Sequence, residues 1–536
     1  MENLVALVIV GLGILLSIII SFYHRGSTGS TSSFYVAGGG LSPRVNGLAM
    51  LGDYASAASF LGVAGAVALL GVDGWWLAIG FFAAWIVVLI AMSSPLKNVG
   101  KFTAADVLNA RFSQNATKIR TVAMLSTLVL CVMYLVPQIV GAGHLFGLLL
   151  GWDYLPTVLV TGSLMALFVI IGGMKGTSYN QAIQGAILFG AMLFLLVFGV
   201  IHLFGGNPAG VIEASSQMVP AKLAAANEAA VAAAAAAQDP AAAVAAVREI
   251  MPDAASAVTP GVGLRDFANQ ASLVIALFLG VLGLPHILIK FYTVANASDA
   301  RKSAEITIWG LAIFYAAIFF VGLIAMYALY PDLLQMIANG EVGKAKNMTM
   351  PMLGDMLGGQ ILMGVIAAGA MAAMLSTSAG LLISATSSLA HDLYKGVINP
   401  NSTDEQELRF AKIGAFFLAV VAIAMSVWLK EENVAMLVGM CFGIAASTFA
   451  PALVFAVWWK GLTSQAVYIG MATGLVLSLL FTFSKFFGAE TMLGLDVLVN
   501  PALYSVPVAI LVTVVVSKMT SDHGDTEEFM AKAHAK

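Results

Sequence analysis

The 536-residue sequence predicts an all-α integral membrane protein of about thirteen transmembrane helices. Ten of them form an inverted 5+5 repeat with broken helices at the bilayer midplane. Three observations carry this expectation. Hydrophobic residues make up 60% of the chain and charged residues only 10%, against about 25% charged in a soluble domain. Apolar windows of about 20 residues, each long enough to cross the hydrocarbon core, recur along the chain. Two of those windows, at matching places in the two halves, are interrupted by glycine, proline, serine or a charge.

In chain order, the spans begin near Leu4, Arg44, Gly74, Arg120, Leu155, Gln181, Asn269, Ile306, Met352, Arg409, Val434, Ser464 and Pro501. The first apolar run, Leu4 to Phe22, is too long for the hydrophobic region of a signal peptide and has no basic segment before it, so residues 1–24 are read as an extra N-terminal transmembrane helix. Spans two to six and seven to eleven divide into five and five. An odd number per repeat inverts the second copy in the membrane. The expected organisation is a first repeat at 43–204, an extracellular alanine-rich loop at 205–266, a second repeat at 267–460, two C-terminal transmembrane helices at 461–518 and a cytoplasmic tail at 519–536.

Lys and Arg occupy alternate loops: Arg25 and Arg44, then Lys97 to Arg120, Lys175, Lys290 to Lys302, Lys395 to Lys412, and Lys460. By the positive-inside rule these loops are cytoplasmic and the N-terminus is outside. In this reading no Lys or Arg lies deep in a span. The alanine-rich loop, broken at Pro240, predicts short surface helices without chemistry of their own. The loop from about Tyr330 to Thr349 reads as a plain connector.

Candidate chemistry sits in three interrupted segments. Gly52 to Val67 places Asp53, Ser56 and Ser59 among small residues about ten positions into an apolar span. A charge there costs at least ~2.5–3.5 kcal/mol at the bilayer centre and needs a reason. Two readings are open: a broken helix lining a polar cavity, as at the binding sites of secondary transporters, or a close helix crossing with one satisfied aspartate. The seventh span repeats the interruption with Gly280, Gly283, Pro285 and His286. The ninth carries Ser376 and Thr377 one turn after Ala373, beside further hydroxyls at Ser378, Ser384, Thr386, Ser387 and Ser388. Serine and threonine in membrane helices commonly bond their own backbone or a neighbouring helix. Neutral hard oxygens at this spacing also suit a monovalent alkali cation, whereas a divalent ion would demand carboxylates.

Five stretches in order, FYVAGGGLSPRVNGLAMLGDYASAASFLG (Phe34 to Gly62), FTAADVLNARF (Phe102 to Phe112), QIVGAGHLF (Gln138 to Phe146), GLPHILIKFYTV (Gly283 to Val294) and AHDLY (Ala390 to Tyr394), resemble the sodium:solute symporters. Within that family they are most similar to the acetate permease or monocarboxylate transporter branch. The resemblance runs from about Phe34 to the end of the thirteenth span. It implies a leucine-transporter-type inverted-repeat fold and cation-coupled uptake of a small solute into the cell by alternating access.

Carried over to this sequence, the resemblance puts a Na+ site at the carbonyls of Gly52, Ala55 and Ala373 and the hydroxyls of Ser376 and Thr377. It puts the substrate against Ser56, Ala57, Ala58 and Ser59 on one broken helix, Phe278, Gly280, Gly283 and His286 on the other, and Gln138 on the fourth span. Asp53 lies beside the cation site as a structural charge or as a carrier of the coupling proton. Many members carry W-T-D-x-x-Q at the start of the sixth span, where this chain has YNQAIQ (Tyr179 to Gln184) and Gln181 replaces the aspartate. That departure leaves both Na+ and H+ open as the coupling ion.

The implied substrate is a short-chain monocarboxylate such as acetate, propionate or pyruvate, with another small solute, an amino acid or a neutral polar compound, as the alternative. The partners are this solute, a monovalent cation and the lipid bilayer of the cell membrane, and no organic cofactor is implied. A net charge of −3 without a basic, aromatic-interleaved patch excludes nucleic acid. Catalysis would need clustered His, Cys or carboxylates inside the spans, yet His24, His144, His202, His286 and His391 are scattered over separate segments. The two cysteines, Cys131 and Cys441, lack metal or disulfide spacing.

Overall fold

The computed structural model describes residues 3–24, 29–217, 219–235 and 267–535, with isolated positions between 240 and 247. Its helices are α1 (Leu4–Tyr23), α2 (Thr31–Val36), α3 (Pro43–Tyr54), α4 (Ala58–Leu70), α5 (Val72–Val99), α6 (Ala104–Arg111), α7 (Ala116–Leu150), α8 (Tyr154–Phe204), α9 (Pro208–Gln217) and α10 (Val219–Ala234). They continue as α11 (Phe267–Gly280), α12 (Pro285–Tyr292), α13 (Ala297–Ala338), α14 (Thr349–Ile398), α15 (Asp404–Trp428), α16 (Val434–Ser447), α17 (Phe449–Trp458), α18 (Ser464–Phe486), α19 (Ala502–Met519) and α20 (Thr526–Ala533). The strands form one two-residue hairpin, with Thr491 opposite Asp496.

Among the described residues, ten helical segments are long and apolar enough to span a bilayer, or up to twelve if each of two bent pairs is one span. The bent pairs are α3 with α4, at 54°, and α16 with α17, at 40°. The fifth expected span falls on the N-terminal arm of α8, of which Tyr154–Met165 is a shorter apolar helix. A positive φ of 52° at Gly173 divides that arm from the Gly173–Phe204 span, a conformation glycine adopts without a Cβ penalty.

Sequence accounts for the breaks. Pro43 and Pro285 each open a helix at its first turn, where the missing N–H has no helical partner to lose. Ser42 accepts from the Val45 amide at 3.3 Å and Asn433 from the amides of Ala435 and Met436, fixing where α3 and α16 start. Between α11 and α12 the chain passes through a short 3₁₀ turn at Val281–Gly283 and an extended Leu284.

The two broken helices lie side by side in opposite directions. Asn46 in the first turn of α3 donates to the Lys290 carbonyl near the end of α12 at 3.1 Å, and Thr293 returns a bond to Asn46 at 2.9 Å. Around them α14 is the most enclosed of the described spans, 83% of its apolar window being buried, whereas α1 buries 22% and lies at the edge of the bundle. The bundle is thus centred on α3–α4, α11–α12 and α14.

In the expected alanine-rich loop, α9 and α10 are helical, and Val211, Ala230 and Ala234 are buried. Most of the stretch from 236 to 266 lies outside the described residues, including 236–239 just before Pro240, where the break was expected; Pro240 itself is helical. The supposed plain connector is packed instead. A helix at Val342–Asn347 buries Gly343, Ala345 and Asn347, and Asn433 donates to both Gly62 and Lys346, tying it to the middle of α4.

Candidate functional site

At the end of α3 the backbone leaves the helix at Ala55, with φ −72° and ψ 65°. It resumes as a wide turn over Ala58–Gly62, so carbonyls near the break lose their usual helical donors. The middle of α14 crosses this point. Ser376 Oγ lies 2.8 Å from the carbonyl oxygens of both Gly52 and Ala373, and Thr377 Oγ1 donates to the Asp53 carbonyl at 2.5 Å. Gly52, Ala373 and Ser376 are thereby brought together, with Thr377 one residue on and bonded to Asp53. Ala55 is the buried residue at the break. The approach requires glycine: a Cβ on Gly52 would come within 2.0 Å of the Gln181 carbonyl oxygen.

The residues expected to hold a solute are also buried here. The Ala57 amide donates to Gln138 Oε1 at 3.2 Å. Ser59 Oγ is 2.7 Å from the Tyr315 hydroxyl, and Ala58 is enclosed beside it. The His286 ring meets Tyr134 edge-on with centroids 5.0 Å apart. Tyr54, Phe81 and Tyr134 each meet the Phe442 ring tilted or edge-on around the same region. Ser56 Oγ, Gln138 Nε2 and both ring nitrogens of His286 are buried without a hydrogen-bond partner among the described residues. Such atoms are costly unless something polar reaches them.

Three expectations change. Phe278 is 37% exposed, on the outer face of α11, while Leu277 is the buried residue beside it; Phe278 therefore does not face the site. Gly280 and Gly283 serve helix packing, since a Cβ at either would strike Phe442 or Ala445 on α16. The span interior does hold a base, because Lys290 on α12 is fully buried. Its ammonium donates to Ser178 Oγ at 3.0 Å and, in a very short contact, to Gln181 Oε1. Gln181 in turn donates from Nε2 to the Ser376 carbonyl at 2.9 Å. The break at 281–284 turns Lys290 inward, whereas a linear reading groups it with the neighbouring loop bases Arg301 and Lys302.

Residues 34–474 match the sequence profile of the sodium:solute symporter family. The chain belongs to this family. The symporter is 35% identical to YwcA, an uncharacterised symporter of Bacillus subtilis, over 99% of its own length and 97% of the relative's. It is 34% identical to the monocarboxylic acid transporter of Corynebacterium glutamicum, over 90% and 86% of the two chains. Its fold matches a Na+-coupled sialic acid symporter in a substrate-bound outward-open state, with a TM-score of 0.73 at 13% identity, covering 97% of this chain and 99% of the other. MhsT in complex with L-phenylalanine matches with a TM-score of 0.51 at 14% identity, covering 89% and 99%. These likenesses establish the leucine-transporter-type fold. The protein is a multi-pass membrane symporter that couples a small solute to a cation, and it is not an enzyme.

A second polar cluster, which the sequence reading did not single out, lies away from this site in the symporter. Arg120 at the start of α7 bridges Asp392 at 3.0 Å and Asp106 on α6 at 3.2 Å. His391 reaches Asp106 at 3.3 Å and Glu407 at 3.4 Å. Burial opposes ionisation of Asp106, yet the His391 and Arg120 charges and the Phe102 amide hold its carboxyl down at about 2. The sequence signal for this cluster was partial: Asp106 falls in the FTAADVLNARF stretch and His391 and Asp392 in AHDLY, whereas Arg120 and Glu407 lie outside both.

Proposed function

We propose that the symporter imports short-chain monocarboxylates such as acetate, propionate or pyruvate together with Na+. The observation that carries this reading is the set of partnerless buried polar atoms at the break: Ser56 Oγ, Gln138 Nε2 and the His286 nitrogens, enclosed by aromatic rings. They offer a few donors to a small solute inside an otherwise apolar wall, the usual make-up of a small-molecule site. Ala57, Ala58 and Ser59 shape that wall with little side-chain bulk. The start of α4 adds the positive end of a helix, which favours a carboxylate. The monocarboxylic acid transporter of C. glutamicum, similar over most of its length, supports the substrate class.

For the cation, the reading takes the carbonyls of Gly52, Ala55 and Ala373 with the hydroxyls of Ser376 and Thr377. In the structure the hydroxyls donate to carbonyls at 2.5–2.8 Å, and rotation of each hydroxyl would turn oxygen lone pairs toward an ion. Orientation follows the basic loops, with the N-terminus outside and the C-terminus cytoplasmic, in the plasma or inner membrane. The repeats are taken as 43–204 and 267–460.

Uptake of labelled acetate into proteoliposomes of the purified symporter tests the reading, with a sodium gradient or a pH gradient imposed separately and unlabelled propionate and pyruvate as competitors. Accumulation driven by sodium and competed by both acids is expected. Accumulation driven by the pH gradient alone would transfer coupling to H+, and no uptake under either gradient would remove the monocarboxylate.

A further inference from the structure

The hydroxyls of Ser384, Ser387 and Ser388 on α14 belong to neither the cation site nor the solute site. With Thr103 at the cap of α6, Thr127 on α7 and Tyr292 at the end of α12, they line a cavity of about 10 Å³, the space of one water-sized sphere. All six residues are buried. Pro285 and Ile289 complete the wall just past the break between α11 and α12. Ser384 stands seven residues beyond Thr377 on α14, about 10 Å of helix rise. Ser376, Gly380, Ser384 and Ser388 follow one another at four-residue spacing, so the central site and the cavity share one stripe of the helix. The stripe runs toward Lys395, the cytoplasmic end in the orientation proposed above.

Thr103 Oγ1 donates to Asp392 Oδ1 at 3.0 Å and Ser388 Oγ to Asp392 Oδ2 at 2.7 Å. Ser387 Oγ donates to the Ser384 carbonyl at 3.0 Å. A hydroxyl has one hydrogen and two lone pairs, so these three have committed the hydrogen and keep oxygen lone pairs to offer. Ser384 Oγ and the Tyr292 hydroxyl are buried without a hydrogen-bond partner among the described residues, a state that native interiors rarely tolerate unless something polar reaches the atom. The charge behind the cavity has the matching sign. Around the fully buried Asp392, the ion-paired network sets the carboxylates of Asp106, Asp392, Asp404 and Glu407 against Arg120, Lys395 and His391. Lone pairs backed by an excess of carboxylates repel an anion and suit a cation, and a space for one water-sized body admits no monocarboxylate.

We propose that this cavity is an inner site for one monovalent cation, on the route between the Ser376 and Thr377 site and the cytoplasm. Ser384 and Tyr292 supply oxygens that no protein group engages, and Thr103, Ser387 and Ser388 complete a shell of neutral oxygens in front of Asp392. The proposal rests on the cation-coupled reading given above and adds a second binding position to it. An ion leaving the central site then meets a prepared set of oxygens two turns further along α14 before it meets bulk water.

Ser384→Ala and Tyr292→Phe test it, alone and together, because each deletes only a hydroxyl that makes no hydrogen bond among the described residues. A purely structural cavity loses nothing by them. The measurement is equilibrium binding of radioactive Na+ to the purified full-length protein in detergent. Two Na+ ions are expected for the unaltered protein. The double variant is expected to weaken one of them by tenfold or more, and Thr377→Ala to weaken the other. The double variant should also keep its unfolding temperature in Na+-free buffer and lose part of the rise that Na+ produces in the unaltered protein, since an ion stabilises only the form that binds it.

A single Na+ that Thr377→Ala weakens and the double variant leaves untouched would overturn the proposal while the central site stands. Two ions that both ignore the double variant would overturn it as well, by placing the second ion elsewhere. A single Na+ that responds to the double variant and not to Thr377→Ala would keep the inner site and remove the central one. Absence of any Na+ binding by the unaltered protein would remove both. If the double variant fails to fold, Ser384→Ala and Tyr292→Phe taken singly decide by the same criterion. The binding is measured without solute, so loss of the monocarboxylate reading leaves the outcome unaffected.

Discussion

Thr377 places its hydroxyl 2.5 Å from the Asp53 carbonyl at the break of α3, and its methyl group is enclosed in the bundle. In the proposed cation site, Thr377→Ala removes one of two side-chain oxygens, the other being that of Ser376. The expected result is a rise of about tenfold or more in the Na+ concentration needed for half-maximal uptake, equivalent to ~1.4 kcal/mol, with Thr377→Ser close to the parent. Uptake measured against external Na+ checks both, and an unchanged Na+ dependence in the alanine variant would move the ion elsewhere. At this scale a polar residue interrupting an apolar run marked where helices meet: Ser376 and Thr377 bond the Gly52 and Asp53 carbonyls. The sequence misled at Phe278, because hydrophobicity does not say which face of α11 a ring occupies. It misled at Lys290 because a base four residues from Val294 reads as the start of a loop until the 281–284 turn is known to aim it inward.

The elements α6, α7 and α14 meet through Arg120, with Asp106 and Asp392 as its partners. Thr103 and Ser388 hold Asp392 at 3.0 and 2.7 Å, so its carboxylate is fixed and fully buried. Removing one partner of a buried pair leaves the other charge uncompensated, commonly at 3–5 kcal/mol. Arg120 is 21% exposed, so Arg120→Gln is expected to cost about 2–3 kcal/mol, visible as a lower unfolding temperature in detergent. The same cluster has a pH signature. Asp106 has its carboxyl held at about 2, below the ordinary aspartate value of about 3.9. Its stabilisation is therefore complete above pH ~4 and is lost as the pH falls toward 2. Asp106→Asn should flatten that acid limb in a plot of unfolding temperature against pH, and a limb that persists unaltered would assign it to other carboxylates. The cluster was not legible beforehand, because its five residues come from stretches separated by up to 301 positions, from Asp106 to Glu407, and only folding places them together.

Across the whole molecule, hydropathy and the five-and-five spacing made the architecture legible, since a bilayer leaves the chain few ways to satisfy its backbone. What hydropathy cannot read is how segments outside the bilayer close on the bundle. The tail is such a segment: α20 buries Phe529 and Ala533, and Asn98 at the end of α5 donates to the carbonyls of Ala533 and Ala535. The buried Arg111 of α6 joins the tail to the end of α17. Its guanidinium donates to Ala456, Trp459 and Lys460 carbonyls at 2.7–2.9 Å and to Thr526 Oγ1 at 3.3 Å, and cations at a helix C-terminus are favoured by its dipole. Gly524 makes the approach with φ +65°, where a Cβ would lie 2.0 Å from the Arg111 carbonyl oxygen. The tail therefore locks the loop carrying α6 against α17, which makes it part of the folded scaffold. Truncation after Thr520 uncovers the Phe529 contact, worth ~1.5–3 kcal/mol, and one face of the Arg111 cage. The expected outcome is a lower unfolding temperature in detergent, with Phe529→Ala reproducing most of the loss and Phe529→Leu little of it. A truncated protein as stable as the full chain would mean that α20 rests on the scaffold without supporting it.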